Sequence, residues 1–135
     1  MELIPILGSL SNCANLRKLD LVNNDLKGDL PGSTSRLSQN LFYLNLGDNH
    51  FTGKIPQEMS NLSGLIELKL HDNLLSGGLP SALGGMSTLQ MLQLSGNNLD
   101  GNIPYQFSQL KALYELNLSQ NAFSGEIHQV FASLQ

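Results

Sequence analysis

Three histidines, one cysteine and a scatter of serines are the residues of this 135-residue chain that could make or break bonds. A zinc-type centre needs several such side chains converging at about 2.0–2.3 Å. His50, His71 and His128 stand one residue after, two before and seven after asparagines that recur along the chain. No fold that respects that recurrence brings them together, so no metal site is expected. Cys13 shares a column with Leu62 and Leu110, which predicts a small core residue and not a reactive thiolate. With one cysteine no internal disulfide can form. Ser95 and Ser119 have no histidine–carboxylate pair beside them, and a strand end would point His71 and Asp72 apart. Gly84-Gly85 lacks the Lys and Ser/Thr of a phosphate loop. The chain therefore reads as no enzyme, with no catalytic residue and no cofactor. Chemistry done to the chain is a separate matter. Asn61-Leu62-Ser63 and Asn117-Leu118-Ser119 have the N-x-S form, which makes Asn61 and Asn117 candidate glycosylation sites.

The elements that must position these residues come from a repeat. Asn24, Asn49, Asn73, Asn97 and Asn121 are spaced 25, 24, 24 and 24 residues apart. Three leucines precede each at constant offsets, from Leu16, Leu19, Leu21 to Leu113, Leu116, Leu118. A large apolar residue follows two places after (Leu26, Phe51, Leu75, Leu99, Phe123), and two further on stands a glycine (Gly28, Gly53, Gly77, Gly101, Gly125). Pro31, Pro56, Pro80 and Pro104 close the pattern, with His128 in the last unit. Periods of this size signal stacked units.

The L-x-L core has period two, a short strand with its leucines on one face. One such strand cannot bury that face, but the next unit stacked beside it closes a continuous core and pairs the strands in parallel. The asparagine follows the strand, where its side chain can both donate to and accept from backbone groups stripped of partners by the turn. Stacked copies predict a ladder. The glycine admits a positive-φ bend, and the proline suits an extended segment on the outer arc. Met59, Leu83, Phe107 and Phe131 form one further core column, with Thr34 its polar member. Leu37, Leu62, Met86, Leu110 and Leu134 form another. The expected fold is an α/β-type repeat solenoid, a right-handed superhelix with a concave parallel β-sheet and convex loops or 3-10 turns. It is one domain, 1–135: a partial repeat 1–15, repeats 16–40, 41–64, 65–88 and 89–112, and an incomplete repeat 113–135. The extra residue of the first full repeat lies in Ser38-Gln39-Asn40 and should bulge outward without disturbing strand register.

The repeat resembles the plant-type leucine-rich repeat, LxxLxLxxNxLxGxIPxxLxxLxx, and 41–64, 65–88 and 89–112 are complete copies. The stretch Ser9 to Leu16, SLSNCANL, with Gly-Asp-Leu-Pro at 28–31 and Arg36 to Leu41, RLSQNL, is similar to ectodomains of plant immune receptor kinases. That group contains the bacterial elongation-factor receptor and the rice bacterial-blight receptor. The resemblance implies recognition of a peptide or protein ligand, a co-receptor with leucine-rich repeats as a further partner, and a parent at the extracellular face of the plasma membrane. Its membrane helix and kinase would belong to the parent. No apolar run here approaches the roughly 20 residues of a span, and Met1 to Leu10 has no basic region of a signal peptide. The chain starts and stops in mid-repeat without cysteine-paired caps, so an internal piece of an ectodomain, or a truncated product, is expected. Ends exposing Phe123, Ile127, Phe131 and Leu134 predict marginal stability and self-association.

Alternation along the strands places the non-leucine residues on the concave face: Lys18, Asp20, Val22 and Asn23; Tyr43, Asn45, Gly47 and Asp48; Glu67, Lys69, His71 and Asp72; Met91, Gln93, Ser95 and Gly96; Glu115, Asn117, Ser119 and Gln120. The repeat leaves them unspecified, so they can encode a partner. Among them Lys18, Asp20, Val22, Tyr43, Asn45, Glu67, Lys69, His71, Met91, Gln93 and Glu115 are the candidate ligand-binding residues. Their mixture suits a peptide or protein surface. A net charge of −4 with seven scattered Lys and Arg excludes a nucleic-acid surface. Five strands about 4.8 Å apart give a face on the order of 200–300 Å², against about 800 Å² per partner in a standard interface. The face is then part of a site. Two other readings fit the same pattern: a structural fragment that binds nothing, and part of a secreted inhibitor of wall-degrading enzymes.

Overall fold

The computed structural model describes residues 1–125. Each unit after the first stretch gives one strand to an inner sheet and one to an outer sheet. In chain order these are β1 Lys18–Asp20, β2 Lys27–Asp29, β3 Tyr43–Asn45, β4 His50–Thr52, β5 Glu67–Lys69, β6 Ser76–Gly77, β7 Met91–Gln93, β8 Asn98–Asn102, β9 Glu115–Asn117 and β10 Ala122–Ser124. The inner sheet is parallel in the order β1-β3-β5-β7-β9, and equivalent residues stand opposite: Leu19 to Leu44, Leu44 to Leu68, Leu68 to Leu92, Leu92 to Leu116. The longer first repeat does keep register. Its extra length does not all bulge outward, however. Ser38 turns in, is buried, and donates from its hydroxyl to the Ala14 carbonyl at 2.7 Å, because that carbonyl has to be satisfied.

Among the outer strands β2 pairs with β4, and β8 pairs with β6 on one side and β10 on the other, also in parallel. Here Lys27 faces His50 and Ala122 faces Asp100, a stagger of two residues from the equivalent position. The sequence pattern gave no sign of this second sheet. Between the sheets the leucine, isoleucine, phenylalanine and methionine columns are buried, Leu44, Leu68 and Leu92 completely. Convex 3-10 turns at Gly32–Arg36, Gln57–Asn61, Ser81–Gly85 and Tyr105–Gln109 each follow an extended proline. Thr34 is accommodated in the core because its hydroxyl donates to the Pro31 carbonyl at 2.6 Å. The glycine column is in the positive-φ region throughout, from +94° at Gly28 to +80° at Gly125.

The N-terminal stretch forms α1, Leu3–Leu10, where later units have a 3-10 turn. Leu3 and Leu7 close that end of the core. This overturns the expectation for Cys13, which is exposed. The helix supplies the covering side chains, and the chain then passes Cys13 outside, with its N–H bonded to the Leu10 carbonyl. Ile127, His128, Phe131 and Leu134 lie outside the described residues.

The ladder forms through the backbone. Asn73 donates from Nδ2 to the carbonyls of Leu46, Leu70 and His71, and its Oδ1 accepts the N–H of Phe51. Asn49 and Asn97 repeat this grip on the preceding unit. Asn49, Asn73 and Asn97 thus each tie two turns together and satisfy groups that burial would otherwise leave unpaired.

Candidate functional site

Register sets the predicted face residues in rows. Lys18, Tyr43, Glu67, Met91 and Glu115 stand side by side, and Asp20, Asn45, Lys69, Gln93 and Asn117 form the next row. Val22, Gly47, His71, Ser95 and Ser119 lie two residues further on, past the strand ends. After them come Asn23, Asp48, Asp72, Gly96 and Gln120, all at positive φ between +53° and +71°. That position belongs to the turn. Asn, Asp and Gly occupy it because they tolerate the left-handed region best; only Gln120 is unusual.

The second row is also partly scaffold. Asp20, Asn45 and Asn117 each accept, on Oδ1, the backbone N–H two residues on, at 3.0–3.1 Å. These are Asx turns, in which a short polar side chain stands in for a backbone acceptor. Asn45 is buried as a result. All three stand four places before a ladder asparagine, a place that Lys69 and Gln93 also hold.

Several polar side chains of the face gather around Tyr43. The Lys18 ammonium lies 4.5 Å and the Lys69 ammonium 5.3 Å from its ring centroid. Its hydroxyl donates to Asp20 Oδ2 and accepts from Asn45 Nδ2, both at 3.4 Å. Lys69 also pairs with Glu67 at 3.9 Å. Each cation–π contact contributes roughly 0.5–1 kcal/mol at an exposed site, which offsets part of the roughly 2 kcal/mol of rotamer entropy of a lysine side chain. His71 lies against Gly47, where a methyl group would overlap its ring, and its enclosed Nδ1 has no hydrogen-bond partner among the described residues. Met91 and Gln93 are half-buried, while Val22 and Glu115 are exposed at opposite ends of the face.

Of the histidines, His71 is on the face and His50 pairs with Asp25 at 3.2 Å on the outer sheet. No group of three or more metal-ligating side chains occurs among the described residues. Sequence reading missed one feature, a groove on the flank lined by Asn15, Arg17, Asn40, Phe42 and Ile66. Arg17 stands 5.8 Å from the Phe42 centroid there. The signal lay in the residue after each first leucine, which is Phe42, Ile66 and Tyr114 in three units.

Leucine-rich-repeat family patterns match residues 15–37, 40–62 and 64–123. The chain belongs to the leucine-rich-repeat family. Receptor kinase-like protein Xa21 of Oryza sativa subsp. japonica is 47% identical over 62 residues, which is 46% of this chain and 6% of that protein. The LRR receptor-like serine/threonine-protein kinase EFR of Arabidopsis thaliana is 42% identical over 65 residues, 48% of this chain and 6% of that one. This leucine-rich-repeat chain thus matches a small part of the length of those relatives. The Arabidopsis receptor kinase HAESA, solved with the peptide hormone IDA and the co-receptor SERK1, has a TM-score of 0.83 and 36% identity over 90% of this chain and 20% of its own. The repeats of this chain therefore have the fold of plant receptor ectodomains. Among the described residues no helix is long and apolar enough to cross a membrane.

Proposed function

We propose that this chain is a recognition segment of a plant receptor-kinase or receptor-like ectodomain in signalling or defence, taking a peptide or protein ligand on the face of its five-stranded sheet. The observation that carries this is the Tyr43 cluster. Lys18, Lys69, Asp20 and Asn45 fix an aromatic ring on a surface that the repeat itself leaves unspecified. Preorganised aromatic and charged anchors are what interfaces concentrate their binding energy in. Kinship with receptor kinases and with an ectodomain solved bound to a peptide supports the same reading. A leucine-rich co-receptor is the second partner class, and the parent acts at the extracellular face of the plasma membrane. Recognition proceeds by surface complementarity, without a chemical step by these residues.

The test is selection of displayed random peptides against the chain, followed by titration of an enriched peptide. Tyr43→Ala should weaken it by at least tenfold, about 1.4 kcal/mol, and Lys69→Ala and His71→Ala by less. Unchanged affinity in all three variants, with the fold intact, would remove the face as the binding surface.

A further inference from the structure

Of the two N-x-S stretches, the structure treats one as free surface and the other as scaffold. Asn61 is the last residue of the convex turn Gln57–Asn61 and is exposed. Among the described residues nothing bonds to its side chain. Leu62, at φ −78° and ψ 71°, has the geometry of an inverse γ-turn, and the Ser63 N–H donates to the Asn61 carbonyl at 2.9 Å. The turn folds Ser63 back beside Asn61; Ser63 is itself exposed, its carbonyl accepts from the Thr88 hydroxyl at 3.0 Å, and its own hydroxyl has, among the described residues, a single 3.5 Å contact to Gln39 Oε1. Met86 and Leu110 repeat this turn geometry at the same place in the next two units. There the flanking pairs are Gly85 with Ser87 and Gln109 with Lys111, so the repeat does not require Asn and Ser at 61 and 63.

Asn117 differs in every respect. It lies in β9, and its Oδ1 accepts both the N–H of Ser119 at 3.0 Å and the hydroxyl of Ser119 at 2.7 Å. A glycan there would stand on the face of the five-stranded sheet, beside Gln93.

We propose that Asn61 is an N-glycan acceptor, and that its sugar stands off the convex side and leaves the sheet face clear. In the transfer, Asn61 Nδ2 forms a bond to the anomeric carbon of a polyprenyl-diphosphate-linked oligosaccharide. The bond from that carbon to the phosphate oxygen breaks, the lipid diphosphate leaves with the electron pair, and Nδ2 gives up one proton to the transferase. The biological setting rests on the extracellular reading above, but the site does not.

The test translates the full chain behind a grafted secretory leader in the presence of microsomes, so native export is not assumed. One endoglycosidase-sensitive mass increment is expected on the protease-protected chain. Asn61→Gln and Ser63→Ala should abolish it, Ser63→Thr should retain it, and Asn117→Gln should leave it unchanged. A protected chain without the increment, or an increment that survives Asn61→Gln, overturns the proposal. Two increments, one lost in each asparagine variant, overturn the claim that the face stays clear. Failure of the unglycosylated chain to bind any selected peptide would instead count against the recognition reading alone, whereas binding lost only on glycosylation would overturn the claim that the face stays clear.

Discussion

Asn73 and Asn24 hold the same position in the repeat and live in different surroundings. Asn73 is buried, grips the turn before it, and also satisfies its own. Asn24 is exposed, and its side chain makes one bond, from Nδ2 to the Val22 carbonyl at 3.0 Å. Where the later rungs grip a preceding turn, the described structure has α1 packing through Leu3 and Leu7. A consensus residue is therefore not a fixed quantity of stability. It stabilises in proportion to what a neighbouring unit offers it.

Replacing Asn73 with Ala is the strongest test of that contrast. It strands the Phe51 N–H, at about 1–3 kcal/mol when unpaired and not replaced by water, and takes one donor from the Leu46, Leu70 and His71 carbonyls, which each keep another. A loss of about 2–4 kcal/mol in denaturant unfolding is expected, against under about 0.5 kcal/mol for Asn24→Ala. Equal losses would mean that rungs act through their own turn only, and the contrast would fail.

The scaffold was legible because it repeats. The asparagine ladder, the leucine columns, the inner-sheet register and the 3-10 turns all follow from a period that few sequences could share by accident. What did not repeat was hidden. α1 forms from a stretch that departs from the pattern, and Cys13 is exposed because that helix covers the core in its place. The outer sheet was invisible because its strands lack the alternation of a half-buried strand; Lys27–Asp29 is Lys-Gly-Asp. On the face, rows could be read from the pleat, but the division of labour within them could not. Asp20 and Asn45 look like free polar residues until Asx-turn geometry assigns them to the backbone. The Tyr43 cluster depends on rotamers of lysines from two flanking strands, which no spacing specifies.

Adjacent glycines offer the next test of gripped against free positions. A methyl on Gly84 would collide with the Gln106 carbonyl of the following turn, whereas one on Gly85 meets nothing. Gly84→Ala should cost about 1–3 kcal/mol, the usual range for overpacking. Gly85→Ala should be neutral or slightly stabilising through the unfolded chain. On the five-stranded face, Gly47→Ala sharpens the comparison differently. The methyl would displace the His71 ring and expose its Nδ1. About 1 kcal/mol of stability is at stake, with the larger change in the His71 ring resonances by NMR and in affinity for a selected peptide. Ring resonances that stay in place would show that His71 does not depend on Gly47.

The smallest effect is expected where two exposed residues of neighbouring units meet at the surface. His50 and Asp25 pair across β4 and the preceding turn at 3.2 Å, but their side chains are 58% and 92% exposed. Water already screens both groups, and holding them together costs side-chain entropy, so an exposed pair contributes roughly 0–1 kcal/mol. Asp25→Asn keeps the side chain's size and an acceptor oxygen while removing the charge. Asp25 also sits at positive φ, +52°, a region that Asn tolerates as readily. The substitution should therefore change stability by less than about 0.5 kcal/mol at low salt, and by nothing measurable at 1 M salt, where the Debye length is about 3 Å. A loss of more than about 1 kcal/mol, insensitive to salt, would show that the first unit is gripped as firmly as the interior ones.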